Sequence, residues 1–491
     1  MAKFTAVIDF GSNSVRLVIF EKTSRFGFKV IHESKSRVRV GEGAYQKGGI
    51  LQQEPMDRAL TALTGFNSII RSFKVRKILA IATSALRDAP NKNLFINKVK
   101  RDLGVNIKVI DGEAEALLGG IACANLLKLD KKAVTIDIGG GSTEFALIEN
   151  REVLSTYSLN LGTVRLKELF ENDSNLDNAK SYINNELLKL PLELQKNILV
   201  GIGGTIRALS KIIQKRYEYP LKRVHGYQYS FYQNRDFIDE VINTSKEELL
   251  KIGFKSERVD VIRWGVLIFR EAIQLFNTDT IITSGVGIRE GIFLKDSLRN
   301  MHSKYPNNFN PSIRNILDEF QAPNEKAFKN LFKISLELFE LLKDSFDITE
   351  YRKTVENISK LIEIGIKIDF YGNTKNGFQM ILNRFIYDVS HKESVLVATI
   401  IRFSHKVEIS EKVFNQFQAL LPALNIMKNI HSIIYLSKIL TLDYADSKQF
   451  NLEFIENSLK IKIFDKALYY MINEKMGLLE NLDVKLEYID K

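Results

Sequence analysis

Apolar positions along the chain follow two rhythms, and the change falls near residue 300. Before it, short β-rich runs at 6–8, 77–83, 105–110, 134–138, 197–202 and 280–284 alternate with stretches of helical period. The helical stretches lie at 56–73, 91–103, 111–123, 206–214 and 258–276. That alternation predicts α/β lobes. Beyond residue 300 the 3.6-residue period persists without β-alternation, and only four of the 28 glycines occur there. The polar, two-proline stretch 301–311 reads as a linker. The expected organisation is lobe I over 1–127, lobe II over 128–300, and an all-helical domain over 312–491.

One stretch occurs twice. Val134-Thr-Ile-Asp-Ile-Gly-Gly-Gly-Ser-Thr-Glu-Phe-Ala-Leu-Ile-Glu149 superposes without gaps on Ala6-Val-Ile-Asp-Phe-Gly-Ser-Asn-Ser-Val-Arg-Leu-Val-Ile-Phe-Glu21, at an offset of 128 residues. Asp9 falls on Asp137, Gly11 on Gly139, Ser14 on Ser142 and Arg16 on Glu144. Each copy reads as strand, turn and returning strand. Glycines in such a turn leave backbone N–H groups free to point at an anion. Asp137 and Glu144 flank the second turn as carboxylates placed to hold a cation beside that anion. A repeat at this spacing predicts two similar lobes facing each other across a cleft.

Composition narrows the setting. With 45% apolar and 26% charged residues the chain reads as globular. It has no apolar run of membrane-spanning length, and a strand pattern opens within a few residues of Met1, so the expectation is a cytoplasmic protein without signal peptide. The single cysteine, Cys123, lies in an apolar helical stretch and reads as packing. The net charge of +11 suits a polyanionic partner. No zinc-knuckle or helix-turn-helix spacing accompanies it, and nucleic acid is not expected as that partner.

Further candidates appear in order. Arg37-Val-Arg-Val40 reads as an exposed strand with both arginines on one face, and 84–89 as a polar loop in which Arg87 follows a strand's C-terminal end. In the helix opened by Asp111, Glu115, Gly119 and Ala122 form a stripe of small residues that would let a ligand approach Glu115. Glu113 sits where an acid merely complements the helix dipole. Gly203-Gly204-Thr205 stands at a strand-to-helix junction suited to an anion.

Asp9-x-Gly-Ser-Asn-Ser14, Ser84-Ala-Leu-Arg87, Gly112-x-x-Glu115-Ala116, Asp137-Ile-Gly-Gly-Gly-Ser-Thr-Glu144, Gly203-Gly204-Thr205, His225-Gly226 and Ser284-x-x-Gly-x-Arg-Glu-Gly291 occur in this order. Together they resemble the exopolyphosphatase / guanosine pentaphosphate phosphohydrolase family of the actin-like ATPase superfamily, over residues 3 to about 298. The resemblance implies two RNase H-like lobes and release of a terminal phosphate. The implied substrates are inorganic polyphosphate and guanosine pentaphosphate, the latter yielding the tetraphosphate, with Mg2+ as cofactor. It implies Glu115 as the acid that orients water, and Asp137, Glu144 and Asp9 around the metal. Arg87 and Arg16 would stand on the transferred group. Gly11, Ser12, Asn13 and Ser14 would grip phosphate from one lobe. Gly139, Gly140, Gly141, Ser142 and Thr143, with Gly203, Gly204 and Thr205, would grip it from the other.

The C-terminal part is similar to HD-type phosphohydrolases at Leu361-Ile-Glu-Ile-Gly365 and over 391–405. Ile362 stands where that family has a histidine before Glu363, so an HD-like domain with a degenerate metal site is expected. His391 and His405 read as structural. A homodimer through this domain is left open. The rival readings are an actin-like kinase, a non-catalytic alarmone- or polyphosphate-binding module and, with little support, a nucleic-acid-binding protein.

Overall fold

A computed structural model describes residues 3–44, 47–171, 176–195, 197–321, 325–441, 449–476, 479 and 481–490. The chain forms two compact units, Met1–Phe309 and Asn310–Lys491.

The first unit holds two sheets. In one, β1 (Phe4–Phe10), β2 (Val15–Lys22), β3 (Phe28–Ser36), β4 (Lys77–Ala82) and β5 (Ile107–Val109) run in the order β3-β2-β1-β4-β5. The other contains β6 (Ala133–Ile138), β7 (Thr143–Glu149), β8 (Glu152–Leu159), β9 (Ile198–Ile202), β10 (Tyr227–Ser230) and β11 (Thr280–Thr283), in the order β10-β11-β9-β6-β7-β8. Both are built on an antiparallel three-strand meander continued by two parallel strands; β10 adds an antiparallel edge to the second. The likeness reaches single residues. Asp9 pairs with Arg16 across β1–β2, as Asp137 pairs with Glu144 across β6–β7. The register slips between Ile19 and Phe20 and again between Leu147 and Ile148, positions 128 apart. The sequence offset is the spacing of two folded copies.

Helices Gln53–Ser72 and Lys92–Leu103 cover the first sheet by burying Ala59, Leu63, Phe66, Phe95 and Val99. Helix Val259–Phe276 covers the second, where Phe276 meets Phe145 edge-on at 5.7 Å. Two further helices tie the lobes together. Gly112–Leu126 follows β5 but lies on the second lobe, Gly120 packing against Val153 and Ala146. Ile288–Ser297 follows β11 but lies on the first, Phe293 stacking on Phe20 at 4.4 Å. Their axes come close because Gly291 has only a hydrogen to set against the Leu118 carbonyl. The stripe of small residues has this use: Gly119 faces Ile202 and Ala122 is fully buried, so they admit a neighbouring element rather than a ligand.

Two local expectations are corrected. Residues 37–40 are not a strand, because Arg39 takes a left-handed turn (φ 46°) that no ladder continues; Val38 and Val40 are both buried. Residues 84–87 are not an open loop but a helical turn, Ser84–Arg87. Residues 301–309, expected to connect, pack on the first unit: Tyr305 is buried, with Phe309 at 4.9 Å and its N–H donating to Asn125 Oδ1 at 2.9 Å.

The second unit opens at Asn310, whose side chain caps helix Pro311–Phe320, with proline at the first helical position where its missing N–H costs nothing. Its core gathers Ile334, Leu338, Ile358, Ile362, Ile401 and Ile434, all fully buried. The all-helical expectation fails here. β12 (Phe450–Ile455), β13 (Ser458–Ile463) and β14 (Asp483–Tyr488) form a sheet in that order, antiparallel then parallel. The β12–β13 turn uses Glu456 (φ 50°) and Asn457 (φ 65°), so the left-handed hairpin positions carry no glycine to announce them.

Candidate active site

Each twin hairpin closes its turn in the same way. Gly11 N–H donates to the Ser14 carbonyl at 3.1 Å, and Gly139 N–H to the Ser142 carbonyl at 2.9 Å. Both turns face one cavity of about 200 Å3. The first lobe brings Asp9, Gly11, Ser12, Asn13, Ser14 and Arg16 to it, and the helix Gly112–Leu126 adds Glu115 from its first turn. The second brings Asp137, Gly139, Gly140, Ser142 and Glu144, then Gly203, Gly204 and Thr205 at the start of helix Gly203–Arg216. Gly203 must be glycine twice over: its φ is +87°, and a Cβ would lie 2.6 Å from Asp137 Oδ1.

Three expected residues do not line this cavity. Gly141 and Thr143 are outside its lining, the Thr143 hydroxyl donating to the Leu161 carbonyl because it falls on the inner face of β7. Arg87 stands behind the lining. Its Nη1 lies 3.2 Å from Glu115 Oε2 and its Nη2 3.3 Å from Ser142 Oγ, so it holds the acid and the glycine turn together.

Burial and crowding set the electrostatics. Burial raises the carboxyl pKa of Asp9, against the pull of Arg289 and Arg16. It pushes Asp137 up to about 6 against Arg207. Burial also pushes Glu144 up, with nearby Asp137 adding to it and the Ser142 and Ser158 hydroxyls opposing. Glu115 is raised well above the usual range by burial and then by Glu144, with Arg87 opposing. Four acids crowded this way favour a site that works with cations beside them.

Those cations were not all foreseen. Arg207, Arg258, Arg289 and Lys35 also line the cavity. Arg207 is four residues beyond Gly203 on the same helix, a spacing that puts both on one face and was available as a signal. It is steadied by donating to the Ser284 carbonyl at 2.7 Å and the Val286 carbonyl at 3.1 Å. Arg289 lies inside a motif quoted above and pairs with Glu33 at 2.6 Å. Arg258 and Lys35 carried no local signal.

His225 holds the loop that leads to Arg289. Its Nδ1 accepts from Gly285 N–H at 3.0 Å and its Nε2 donates to the Leu126 carbonyl at 2.9 Å. Both nitrogens are committed to the neutral ring, and burial lowers the pKa to about 4. The unfolded value is near 6.5, so the unfolded chain binds the extra proton between those limits. The contribution is therefore complete above about pH 6.5 and is lost as pH falls through the window to about 4. We expect urea unfolding at pH 7 and pH 4 to show wild type losing up to about 3 kcal/mol relative to His225→Asn. Parallel pH profiles of the two proteins would remove the assignment.

The fold and cleft define a two-lobed protein of the actin-like ATPase type, with two glycine turns facing one cavity. The chain belongs to the Ppx/GppA phosphatase family, whose model matches residues 18–300. It is similar to the crystal structure of an Aquifex aeolicus member of that family, at 29% identity and TM-score 0.53, covering 62% of this chain and all of that one. It is also similar to an exopolyphosphatase from Cytophaga hutchinsonii, at 25% identity and TM-score 0.55, covering 62% of this chain and all of that one. A curated relative, the bifunctional 3-dehydroquinate synthase/phosphatase of Fusobacterium nucleatum, is 31% identical over an alignment of 296 residues that covers 57% of this chain. The chain spans 44% of that relative's length. Among the described residues, no helix is long and apolar enough to cross a membrane.

Proposed function

We propose that this phosphatase releases the terminal phosphate of inorganic polyphosphate, of guanosine pentaphosphate, or of both, by attack of water. The reading is carried by the paired glycine turns meeting at one cleft in which Arg87 holds Glu115. Phosphoryl transfer asks mainly for positioning and charge neutralisation. The N–H groups of the two turns grip the terminal phosphate, and Arg207, Arg289 and Arg16 face its oxygens. Glu115 orients the water and takes its proton.

Asp137, Glu144 and Asp9 offer the hard oxygen donors that Mg2+ takes. Among the described residues no three His, Cys, Asp or Glu side chains lie close enough to hold a metal unaided, so an ion held by these carboxylates would need further oxygen ligands from substrate or water. The bound ion supplies charge neutralisation to the transferred group. Charge placement agrees with a polyanionic substrate in this unit. Residues 1–309 hold 46 Lys and Arg against 34 Asp and Glu, while 310–491 hold 24 against 25. The whole basic excess sits with the cleft. We place the protein in the cytoplasm.

We read the second unit as HD-like with its metal site replaced. Lys438 Nζ pairs with Glu363 Oε1 and contacts His405 Nε2, while Asn373 donates to Glu363 Oε2 at 2.6 Å. An ammonium thus stands among the groups a metal would join. Lys438→Ala strands a largely buried carboxylate and is expected to cost about 3 kcal/mol, recovered in part by adding Glu363→Gln. Chemical denaturation of both variants checks it; equal destabilisation would count against the pairing.

The functional test is phosphate release with Mg2+ from long-chain polyphosphate and guanosine pentaphosphate side by side. Release from either supports the reading. No release from both, in a folded protein, would overturn it in favour of a binding module.

A further inference from the structure

The second glycine turn is oriented from behind by one segment. Thr163 N–H donates to the Gly139 carbonyl at 3.0 Å, and Val164 and Arg165 N–H to the Gly140 carbonyl at 2.8 and 3.1 Å. Arg165 Nε then donates to the Gly141 carbonyl at 3.0 Å. Successive carbonyls drawn to one side leave the turn's N–H groups to the other, which is the cleft. The first ties are backbone and any residue makes them. The last depends on a side chain.

That side chain also crosses between the lobes. Arg165 Nη2 lies 3.5 Å from Asp88 Oδ2. Asp88 Oδ1 lies 3.7 Å from Arg87 Nε, and Arg87 Nη1 lies 3.2 Å from Glu115. A run of charged contacts through Asp88 and Arg87 of the first lobe therefore joins the glycine turn to the water-orienting acid, whose helix lies on the second lobe. Neither Asp88 nor Arg165 lines the cavity.

We propose that Arg165 and Asp88 are positioning residues, which hold the glycine turn and Glu115 in register by way of Arg87 of the first lobe. The proposal rests on the roles given above to Glu115 and the turn. A partly exposed pair of this kind adds little to stability. Its effect should appear in turnover.

The test compares Asp88→Asn, Arg165→Met and their combination. Each single change is expected to lower kcat about 10- to 100-fold, as a small misplacement of reacting groups does. KM should stay within about threefold, since the backbone ties still form the turn. The double variant should fall no further than the worse single, because both break one link. Arg165→Lys, which keeps a charge toward Asp88, should recover part of the loss. Hydrogen exchange of the turn amides supplies a readout apart from turnover: Asp88→Asn, which does not touch the turn, should speed it. Unchanged exchange in that variant overturns the proposal whatever the enzyme does, and so do additive losses in kcat. If wild type released no phosphate while exchange still rose, the functional reading would fail and the positioning would stand.

Discussion

Glu115→Gln is expected to lower kcat by about 10²- to 10⁴-fold while leaving KM nearly unchanged, the loss typical of removing a positioned general base. The amide keeps the size of the side chain and an oxygen for Arg87 Nη1, which lies 3.2 Å from the acid in the native site. Only the capacity to take a proton is lost. The pH profile should move with it. Burial and the neighbouring Glu144 raise the Glu115 pKa, and a base acts only when ionised, so wild-type kcat should climb with pH above the ordinary glutamate range. A cation bound beside Asp137 and Glu144 would pull that limb downward, so titrating Mg2+ should shift it to lower pH. The Gln variant should show a flat residual rate across the same range. Wild-type turnover in this variant, with Mg2+ present, would remove Glu115 from the chemistry.

Much of the cleft was legible because its chemistry is written in backbone. Turns that must present N–H groups to an anion need glycine and small polar residues, and they repeat because the lobe repeats. Asp9 and Asp137 were legible by the same repeat, each ending a strand before its turn. The choice of Glu115 over Glu113 also followed from sequence, because one helix face carries only one of two acids placed two apart. The reason offered for it was wrong in part: Gly119 faces Ile202, and the close crossing with helix Ile288–Ser297 rests on Gly291 of that helix against Leu118.

What stayed hidden came from long-range placement. Arg258 and Lys35 reach the cavity from a helix start and a strand end whose local patterns say nothing of a ligand. The C-terminal sheet was missed because its strands are short and its hairpin turn is Glu-Asn. The alternation in Ser458-Leu-Lys-Ile-Lys-Ile463 is plain once the turn is known. Arg87 was legible as a position near the cleft but not as a link between Glu115 and Ser142. Its partners, Glu115 and Ser142, are 28 and 55 residues away.

Gly162→Ala should strongly disturb the second glycine turn. A Cβ at Gly162 would lie 2.5 Å from the carbon and oxygen of Gly140 and from the nitrogen of Gly141. All three atoms are backbone of the glycine turn, so no flexible side chain can swing aside. The conformation itself is not the obstacle, since φ of −153° is open to any residue. Relief must come by pushing the Gly140–Gly141 peptide toward the cleft, or by withdrawing residue 162 and breaking the Thr163 and Val164 bonds to Gly139 and Gly140. Overpacking of this kind costs about 1–3 kcal/mol of stability. Either route also turns the N–H groups off the phosphate, and losing two or three charge-assisted bonds should weaken anion binding by about 100-fold or more. Gly65→Ala gives the contrast. That glycine sits within helix Gln53–Ser72 with nothing within 4 Å of its would-be Cβ, so the change should stabilise by up to about 1 kcal/mol and leave binding alone. Calorimetric titration with tripolyphosphate and Mg2+, alongside urea unfolding, reads both quantities for both variants. If Gly162→Ala bound tripolyphosphate as tightly as wild type, the turn at Gly139 to Ser142 would not be what holds the phosphate, and the nucleophile's target would have to be sought on the Gly203 helix start instead.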